Sequence, residues 1–423
     1  MIEPMAKRDI ICGIDVGSSS IRTIIAQLVS TEEKPRIIGV GIADSSGVRK
    51  GVIVDIEETL RSIADSVEKA ERSAGVTVER AVVSIGGSHI SSQNSKGVIA
   101  VGRADGEVTA DDIERVISAA QAISIPANKE IIHIIPRDYA LDDQRNIKDP
   151  LGMNGVRLEV DAFIIEGSTP YIKNLSKCFE QAKIDISSFV LAPLAAARSV
   201  LTKRQKELGV VLVDIGGGTT SIAIFEEDEL LKSAVIPVGG MHITNDIAIG
   251  LRTSIDVAER VKMEYGNARP SEISKKEDIN LSEIDSSEEG IVSRYHVSEI
   301  IEARLEEIFS LVNKELKAIG KDKLLPAGVI LVGGTSKLPG SVDLAKDVLG
   351  LPAQAGFPIP LGGLVDKVDE PSFATGVGLL IWAMENEQRP SMKMSAGRFM
   401  GGIPGNVGEK VSGVKKWFEK FLP

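Results

Sequence analysis

An α/β fold built from two matching halves is predicted by three features of this chain. The first is a repeated motif: Asp15-Val16-Gly17-Ser18-Ser19-Ser20 returns as Asp214-Ile215-Gly216-Gly217-Gly218-Thr219. The second is its setting. Ile10–Ile14 and Val210–Val213 precede the two copies, and Ile21–Leu28 and Ile222–Phe225 follow them. Apolar run, Gly/Ser/Thr turn and apolar run read as a β-hairpin. The third is chemical. Such a turn offers backbone N–H groups and hydroxyls to phosphate oxygens, and an Asp at its mouth suits a hydrated Mg²⁺. Two such hairpins imply a nucleotide gripped between the halves.

The bulk numbers bound the class. At 423 residues, two or more domains are expected. With 43% hydrophobic and 26% charged residues there is ample material for a core. A net charge of −11, with no dense patch of Lys and Arg, argues against nucleic acid as a partner. Cys12 and Cys178 have no metal spacing and fit a reducing compartment. The four histidines, His89, His133, His242 and His296, are scattered. His133 lies in a strand pattern, Glu130–Ile135, and is expected to pack rather than ligate. No apolar run approaches the ~20 residues that span a bilayer. The N-terminus lacks a signal peptide's apolar stretch. Any membrane contact is therefore expected to be peripheral.

Along the chain, residues 1 to about 83 alternate strands and helices. Thr59–Ala74 has helical periodicity and Ala81–Ile85 reads as a buried strand, broken by Gly86-Gly87. Residues 84 to about 165 read as a small α+β insert. Thr109 caps a helix from Ala110 to Ile123, with Ile113, Val116, Ile117 and Ala120 on one face. Strands are expected at Glu130–Ile135 and Val156–Ile165. Ser168 or Thr169 caps the next helix, with Pro170 in its first turn, running to about Ala182.

The second hairpin opens the second half. A helix near Ser254–Tyr265 carries Glu259 and Lys262 on one face, where an exposed ion pair is the plain alternative to a binding role. Ser271–Gly290 is polar and poorly periodic and is expected to be a surface excursion with loops. Val297–Ile319 reads as a long helix. Gly328–Val332 reads as a buried strand ending in Gly333-Gly334-Thr335-Ser336, where a ligand can approach the backbone closely. Phe373–Met384 is a further helix, in which Gly376 and Gly378 allow tight packing.

The tail differs. From Gln388 to about Ser412, five glycines, two prolines and no periodicity suggest a flexible linker. Val414, Trp417, Phe418, Phe421 and Leu422 then recur at helical spacing, with Lys415, Lys416, Glu419 and Lys420 on the other face. So short a helix is marginal alone in water. It needs an apolar surface: the protein's own body, or an anionic bilayer, which the Lys-rich face favours.

These motifs converge on a known pattern. Asp15–Arg22, Asp214–Thr220 and Val332–Gly340 resemble the phosphate-1, phosphate-2 and adenosine motifs of the actin-like ATPase superfamily. Ala192-Pro193-Leu194-Ala195-Ala196-Ala197 and Ala374-Thr375-Gly376-Val377-Gly378 resemble its two connecting helices. Within that superfamily the chain is similar to the FtsA family of bacterial cell-division proteins. The similarity rests on Ser84–Ile90 with Asn94–Gly97, on Pro237–Asp246, on Ile300–Arg304 and on the tethered amphipathic end.

The resemblance implies an actin-like fold: two duplicated α/β halves around a nucleotide cleft, with an inserted α+β subdomain 1C, of SHS2 type, in place of the actin 1B lobe. Subdomain 1A is expected over 1–83, completed by 166–198 and 362–387, and 1C over 84–165. Subdomain 2A is expected over 199–240, completed by 305–361, and 2B over 241–304. The linker is 388–412 and the membrane-targeting helix 413–423.

It also implies ATP and Mg²⁺ as ligands. Gly17, Ser18, Ser19 and Ser20 are expected to line the β- and γ-phosphates, with Arg22 as a phosphate-binding cation. Gly216, Gly217, Gly218, Thr219 and Thr220 are expected to cradle the γ-phosphate from the other half. Asp15 and Asp214 are expected to hold Mg²⁺ through water. Glu259 and Lys262 match a nucleoside-contacting Glu-x-x-Lys. Gly333, Gly334 and Thr335 are expected near the α-phosphate and ribose, and Lys337 along the adenine. Hydrolysing relatives often carry Glu or Gln where this chain has Ala192, so hydrolysis is expected to be slow or absent.

The implied partners are the C-terminal peptide of FtsZ, further copies in protofilaments, anionic lipids of the inner membrane and later division proteins, at the cytoplasmic face of the division site. Arg304 is expected to meet the FtsZ peptide, and a pair with Glu307 is its local alternative. The rival readings are a small-molecule kinase, a chaperone ATPase, a PilM-like pilus scaffold and an MreB-like filament. Ala192, the short tail after the last helix, the terminal amphipathic stretch and the insert argue against them in turn.

Overall fold

The computed structural model describes residues 10–29, 34–122 and 125–387. The linker and terminal helix expected over 388–423 lie outside the described residues. The described residues divide into two compact units, one holding those up to His89 together with Tyr171–Met384, the other those of Ile90–Pro170.

The first unit holds two sheets of one design. In one, Arg36–Asp44, Ser20–Gln27 and Ile10–Val16 form an antiparallel meander, and Arg80–Ile85 then Asp185–Leu191 add in parallel beside Ile10–Val16. In the other, Glu229–Ile236, Thr220–Glu226 and Val210–Ile215 form the meander, and Gly328–Val332 then Ala353–Ala355 add in parallel. The inner strands Ile10–Val16 and Val210–Ile215 are near-continuous apolar runs, as expected of strands covered on both faces. Gly362–Gly363 completes the edge of the first sheet.

Each sheet has its own core. Val211, Ile222, Ile243, Val261, Ile301, Phe309 and Leu331 centre the second, and all are fully buried. The first is centred on Ile11, Ile24, Ile37, Val82 and Val190, and is closed by Leu361, Phe373, Val377 and Leu380 from the far end of the chain. Close approach there depends on glycine. A Cβ on Gly13 would lie 2.9 Å from Leu379 Cβ, and one on Gly378 would lie 1.8 Å from the Ala195 carbonyl oxygen. The helices Ala374–Glu387 and Ala192–Val200 therefore touch backbone to side-chain position.

Helix Ile56–Ala74 packs on strand Arg36–Asp44. Asp55 caps its N-terminus by accepting from the Glu58 N–H at 3.0 Å, and Gly75 ends it in left-handed backbone at φ 70°. The segment 271–290 lies mostly at the surface, as expected, but it also carries short structured elements. Asp278–Asn280 pairs with Ile291–Ser293, a helical turn spans Leu281–Ile284, Ile279, Leu281 and Ile284 are buried in the second core, and Ile273 is buried as well. These apolar side chains are divided among a short helical end, a strand and a helical turn, so no single period marks them.

The second unit is a four-stranded antiparallel sheet in the order Ser91–Ala100, Arg157–Ser168, Lys129–Leu141, Gln144–Ile147. Helix Ala110–Gln121 lies on it, begun by a capping box between Thr109 and Asp112. A Cβ on Gly97 would lie 2.0 Å from the Val116 carbonyl oxygen, so strand and helix meet there without a side chain between them. Val116, Leu158, Val160 and Tyr139 form its core. His133 is buried at 9% exposure, as a packed histidine should be.

Candidate functional site: facing turns of two hairpins

The two repeated turns close identically. Gly17 N–H donates to the Ser20 carbonyl at 3.2 Å, and Gly216 N–H donates to the Thr219 carbonyl at 2.9 Å. They also face each other. A Cβ on Gly217 would lie 1.7 Å from Ser19 Oγ, and one on Gly218 would lie 2.7 Å from Ser18 Oγ. The turns thus form opposing walls, and only residues without side chains allow this approach.

Behind the turns sit two carboxylates. Asp15 faces Arg22 across the first hairpin and accepts from Ser84 Oγ at 2.8 Å. Burial nevertheless raises its pKa, against the pull of Arg22 and that hydrogen bond. Asp214 is pushed up to about 7, by burial first and then by the neighbouring Asp15, with Arg22 and the Thr375 hydroxyl opposing. Two buried carboxylates, both raised by burial and one raised further by the other, are short of positive charge. Arg22 supplies part of it. Its guanidinium lies over the Phe373 ring, 5.4 Å from the centroid, and its Nε is buried without a hydrogen-bond partner. No group of three or more His, Cys, Asp or Glu side chains forms a metal cage among the described residues. A cation at Asp15 and Asp214 would take its other ligands from water and from phosphate. The residues present fit a magnesium–phosphate group in that manner.

The third motif is stitched to the second turn. Thr335 Oγ1 donates to the Gly216 carbonyl at 3.2 Å, and Gly333, at φ 85°, donates its N–H to the Pro371 carbonyl at 3.0 Å. Helix Gly240–Leu251 starts on the same turn, with Gly240 and Met241 N–H groups on the Gly216 and Gly217 carbonyls at 2.9 and 2.8 Å. Open space adjoins Gly334, where no atom lies within 4 Å of a built Cβ. That leaves its backbone accessible to a ligand.

Other expected site residues have defined places. Thr220 is fully buried, and its hydroxyl donates to the Val238 carbonyl at 2.9 Å. Lys262 is 6% exposed and donates to Glu259 at 2.5 Å, to Thr244 Oγ1 at 2.8 Å and to the Gly240 carbonyl at 3.3 Å. It ties helix Ile255–Tyr265 to the start of Gly240–Leu251, while Glu259 remains half-exposed. Lys337 is exposed and paired with Glu370 at 2.8 Å.

Arg304 stands apart from the cleft motifs. It makes a two-point pair with Asp246 at 2.6 and 2.9 Å and also engages Glu307. The pair with Asp246 has no local sequence signal, because that residue lies 58 positions away. Together with Ile249, Gly250, Ile300 and Ala303 they line a groove on which Ile249 is 77% exposed. Ala192 opens helix Ala192–Val200 and brings only a methyl group.

Comparison with known proteins bears on the family and the fold. The family model described as cell division protein FtsA matches residues 211–378, and that of the SHS2 domain inserted in FtsA matches residues 87–166. The cell division protein FtsA of Pseudomonas aeruginosa is 40% identical over 385 residues, covering 91% of each chain. Among solved structures, a PilM-PilN type IV pilus biogenesis complex matches with a TM-score of 0.64 at 15% identity, covering 90% of this chain and 99% of that one. MreB5 of Spiroplasma citri bound to ADP matches with a TM-score of 0.52 at 13% identity, covering 91% and 98%. At such identities the structural matches speak for the fold, which is actin-like with an SHS2 insert.

Proposed function

The chain belongs to the FtsA family of cell-division proteins, and from that premise we propose that it binds ATP with Mg²⁺ between its hairpin turns and acts as a membrane-bound adaptor of the division machinery. The observation that carries the nucleotide reading is the pair of equivalent turns, Ser18 and Ser19 against Gly218 and Gly217, with Asp15 and Asp214 behind them. The actin-like fold it shares with an ADP-bound MreB5 supports the same reading.

In this reading Gly17–Ser20 and Gly216–Thr219 hold the phosphates through N–H groups and hydroxyls. Arg22 adds a guanidinium, and Asp15 and Asp214 hold the hydrated metal. Gly333, Gly334 and Thr335 approach the inner phosphate and ribose, with Lys337 beside the base. Glu259 is the freer member of its pair to meet the nucleoside, and Lys262 positions the helices around it. Magnesium, when bound, neutralises charge on the phosphates and on the two carboxylates. Calorimetry with a nonhydrolysable ATP analogue and Mg²⁺ is expected to register binding, and its absence would remove this reading.

Ala192 can neither accept a proton nor orient water, so hydrolysis is slow or absent and ATP serves as a ligand that fixes the angle between the halves. Single-turnover measurement of phosphate release is expected to show no fast phase. The four-subdomain division set out from the sequence is part of the same proposal.

The Arg304 groove is the proposed seat of the FtsZ C-terminal peptide. An exposed Ile249 beside an arginine suits a peptide with apolar and acidic side chains. The stretch 413–423 is proposed to fold as an amphipathic helix on anionic inner-membrane lipid. Among the described residues no helix is long and apolar enough to cross a membrane. Self-assembly into protofilaments on that surface, and recruitment of later division proteins, complete the proposal. The PilM-like and kinase alternatives lose to the 40% identity with an FtsA.

A further inference from the structure

Between the first meander and its helix the chain makes a very short hairpin, Val48–Arg49 against Val52–Ile53. It turns at Lys50 and Gly51, both in left-handed backbone at φ 50° and 73°. Nothing in the phosphate motifs includes these residues, yet the tip lies where both phosphate turns meet. Gly51 N–H donates to Ser18 Oγ at 3.0 Å. A Cβ on Gly218 would lie 3.1 Å from the Lys50 backbone nitrogen. A Cβ on Gly51 would lie 2.5 Å from Gly87 Cα, so the tip is also held from the side by the Gly86-Gly87 break. The hairpin is fixed by backbone contacts on three sides.

Charge decides what the tip can do. Of the cations already assigned to the cleft, Lys262 is tied to Glu259 and Thr244 and Lys337 is paired with Glu370, while Arg22 acts on Asp15 and Asp214 through its charge alone. Lys50 is exposed and has no hydrogen bond or ion pair among the described residues. A nucleotide triphosphate adds several negative charges next to two carboxylates. The phosphate farthest from the base is the one that turns from both halves can hold, and the Lys50–Gly51 tip adjoins both, Lys50 at Gly218 and Gly51 at Ser18. A lysine ammonium is a compact charge on a flexible stem, suited to meeting a phosphate oxygen.

We propose that the Lys50–Gly51 tip is a further phosphate-contacting element, and that the Lys50 ammonium engages the terminal phosphate, so that the site distinguishes a nucleoside triphosphate from a diphosphate. The inference rests on the nucleotide reading above and assigns a residue that reading lacks. Ser18 and Gly51 share one hydrogen bond, so occupancy of the terminal-phosphate position is transmitted to the hairpin directly.

The test is calorimetry with Mg²⁺ and either a nonhydrolysable ATP analogue or ADP, on the full chain. Lys50→Gln keeps most of the stem and the same backbone demand. It is expected to weaken the triphosphate analogue about tenfold, the scale of one charge-assisted hydrogen bond. ADP affinity is expected to change less than about twofold on the same scale. Lys50→Arg should restore most of the loss, and Arg49→Gln, one residue away, should leave both affinities unchanged. Equal losses for both nucleotides, no loss for either, or the same loss in Arg49→Gln would overturn the inference. So would a lowered melting temperature of Lys50→Gln without nucleotide that accounts for the loss. Wild-type protein that binds neither nucleotide would remove the nucleotide reading itself, and this inference with it.

Discussion

Asp214 shows how one side chain ties the fold to pH. Its carboxyl is raised from 3.8 to about 7 in the folded chain. A group raised on folding favours the fold when protonated, below its unfolded pKa, and that contribution is lost as pH rises through the folded value. Nucleotide-free protein is therefore expected to lose stability between about pH 4 and pH 7 through this residue. Asp214→Asn mimics the protonated form. Its melting temperature should match wild type near pH 4 and exceed it increasingly towards pH 8, and a gap of opposite sign would contradict the burial argument. The glycines and the Asp of each motif were legible in the sequence because a tight turn is local chemistry. The partners of Lys262 were not. Glu259 is visible three residues away, but Thr244 and the Gly240 carbonyl come from another helix. Spacing on one helix face cannot report that. The same limit hid the Asp246 partner of Arg304.

At the scale of elements, the long periodic segments were readable. The strand Gly328–Val332 and the helices Ile255–Tyr265 and Ala110–Gln121 follow from alternation, apolar runs and caps. The Lys50 hairpin was not readable, since strands of two residues fall below any period. The short elements within the exposed 271–290 segment were hidden for a related reason. Its four buried apolar side chains are shared among a strand, a helical turn and their connections. Gly378 makes the sharper test. Ala at a helix interior ordinarily gains up to about 1 kcal/mol over Gly. Here its methyl would meet the Ala195 carbonyl at 1.8 Å, and backbone cannot step aside cheaply. Gly378→Ala is expected to destabilise by about 1–3 kcal/mol in chemical denaturation, the range for overpacking. A stabilised variant would mean that the two connecting helices are free to part.

At the scale of the molecule, the proposed membrane attachment rests on number. Five apolar side chains at 414, 417, 418, 421 and 422 give one helix only a few kcal/mol of net partition, at ~25 cal/mol per Å² offset by ordering. One copy then binds reversibly, and a filament displaying many binds far more tightly. Trp417→Glu is expected to abolish co-sedimentation with anionic liposomes while leaving nucleotide binding intact. Unchanged sedimentation would count against the anchor. The duplication itself was visible in the sequence through its turns. What was not visible is that the meander and its two parallel neighbours keep the same order in both sheets, because pairing between distant strands leaves no local trace.

The way the first sheet is closed has a consequence for biosynthesis. Ile11, Ile24 and Ile37 leave the ribosome early, yet Leu361, Val377 and Leu380 that cover them are made near the end. The other core draws its buried residues from Val211 to Leu351 and is complete sooner. Newly made polypeptide thus finishes its later-encoded half first, inverting the usual amino-terminal lead in co-translational folding. In the interval the opening strands lack the cover of Val377 and Leu380, and the first core closes only after helix Ala374–Glu387 has been made.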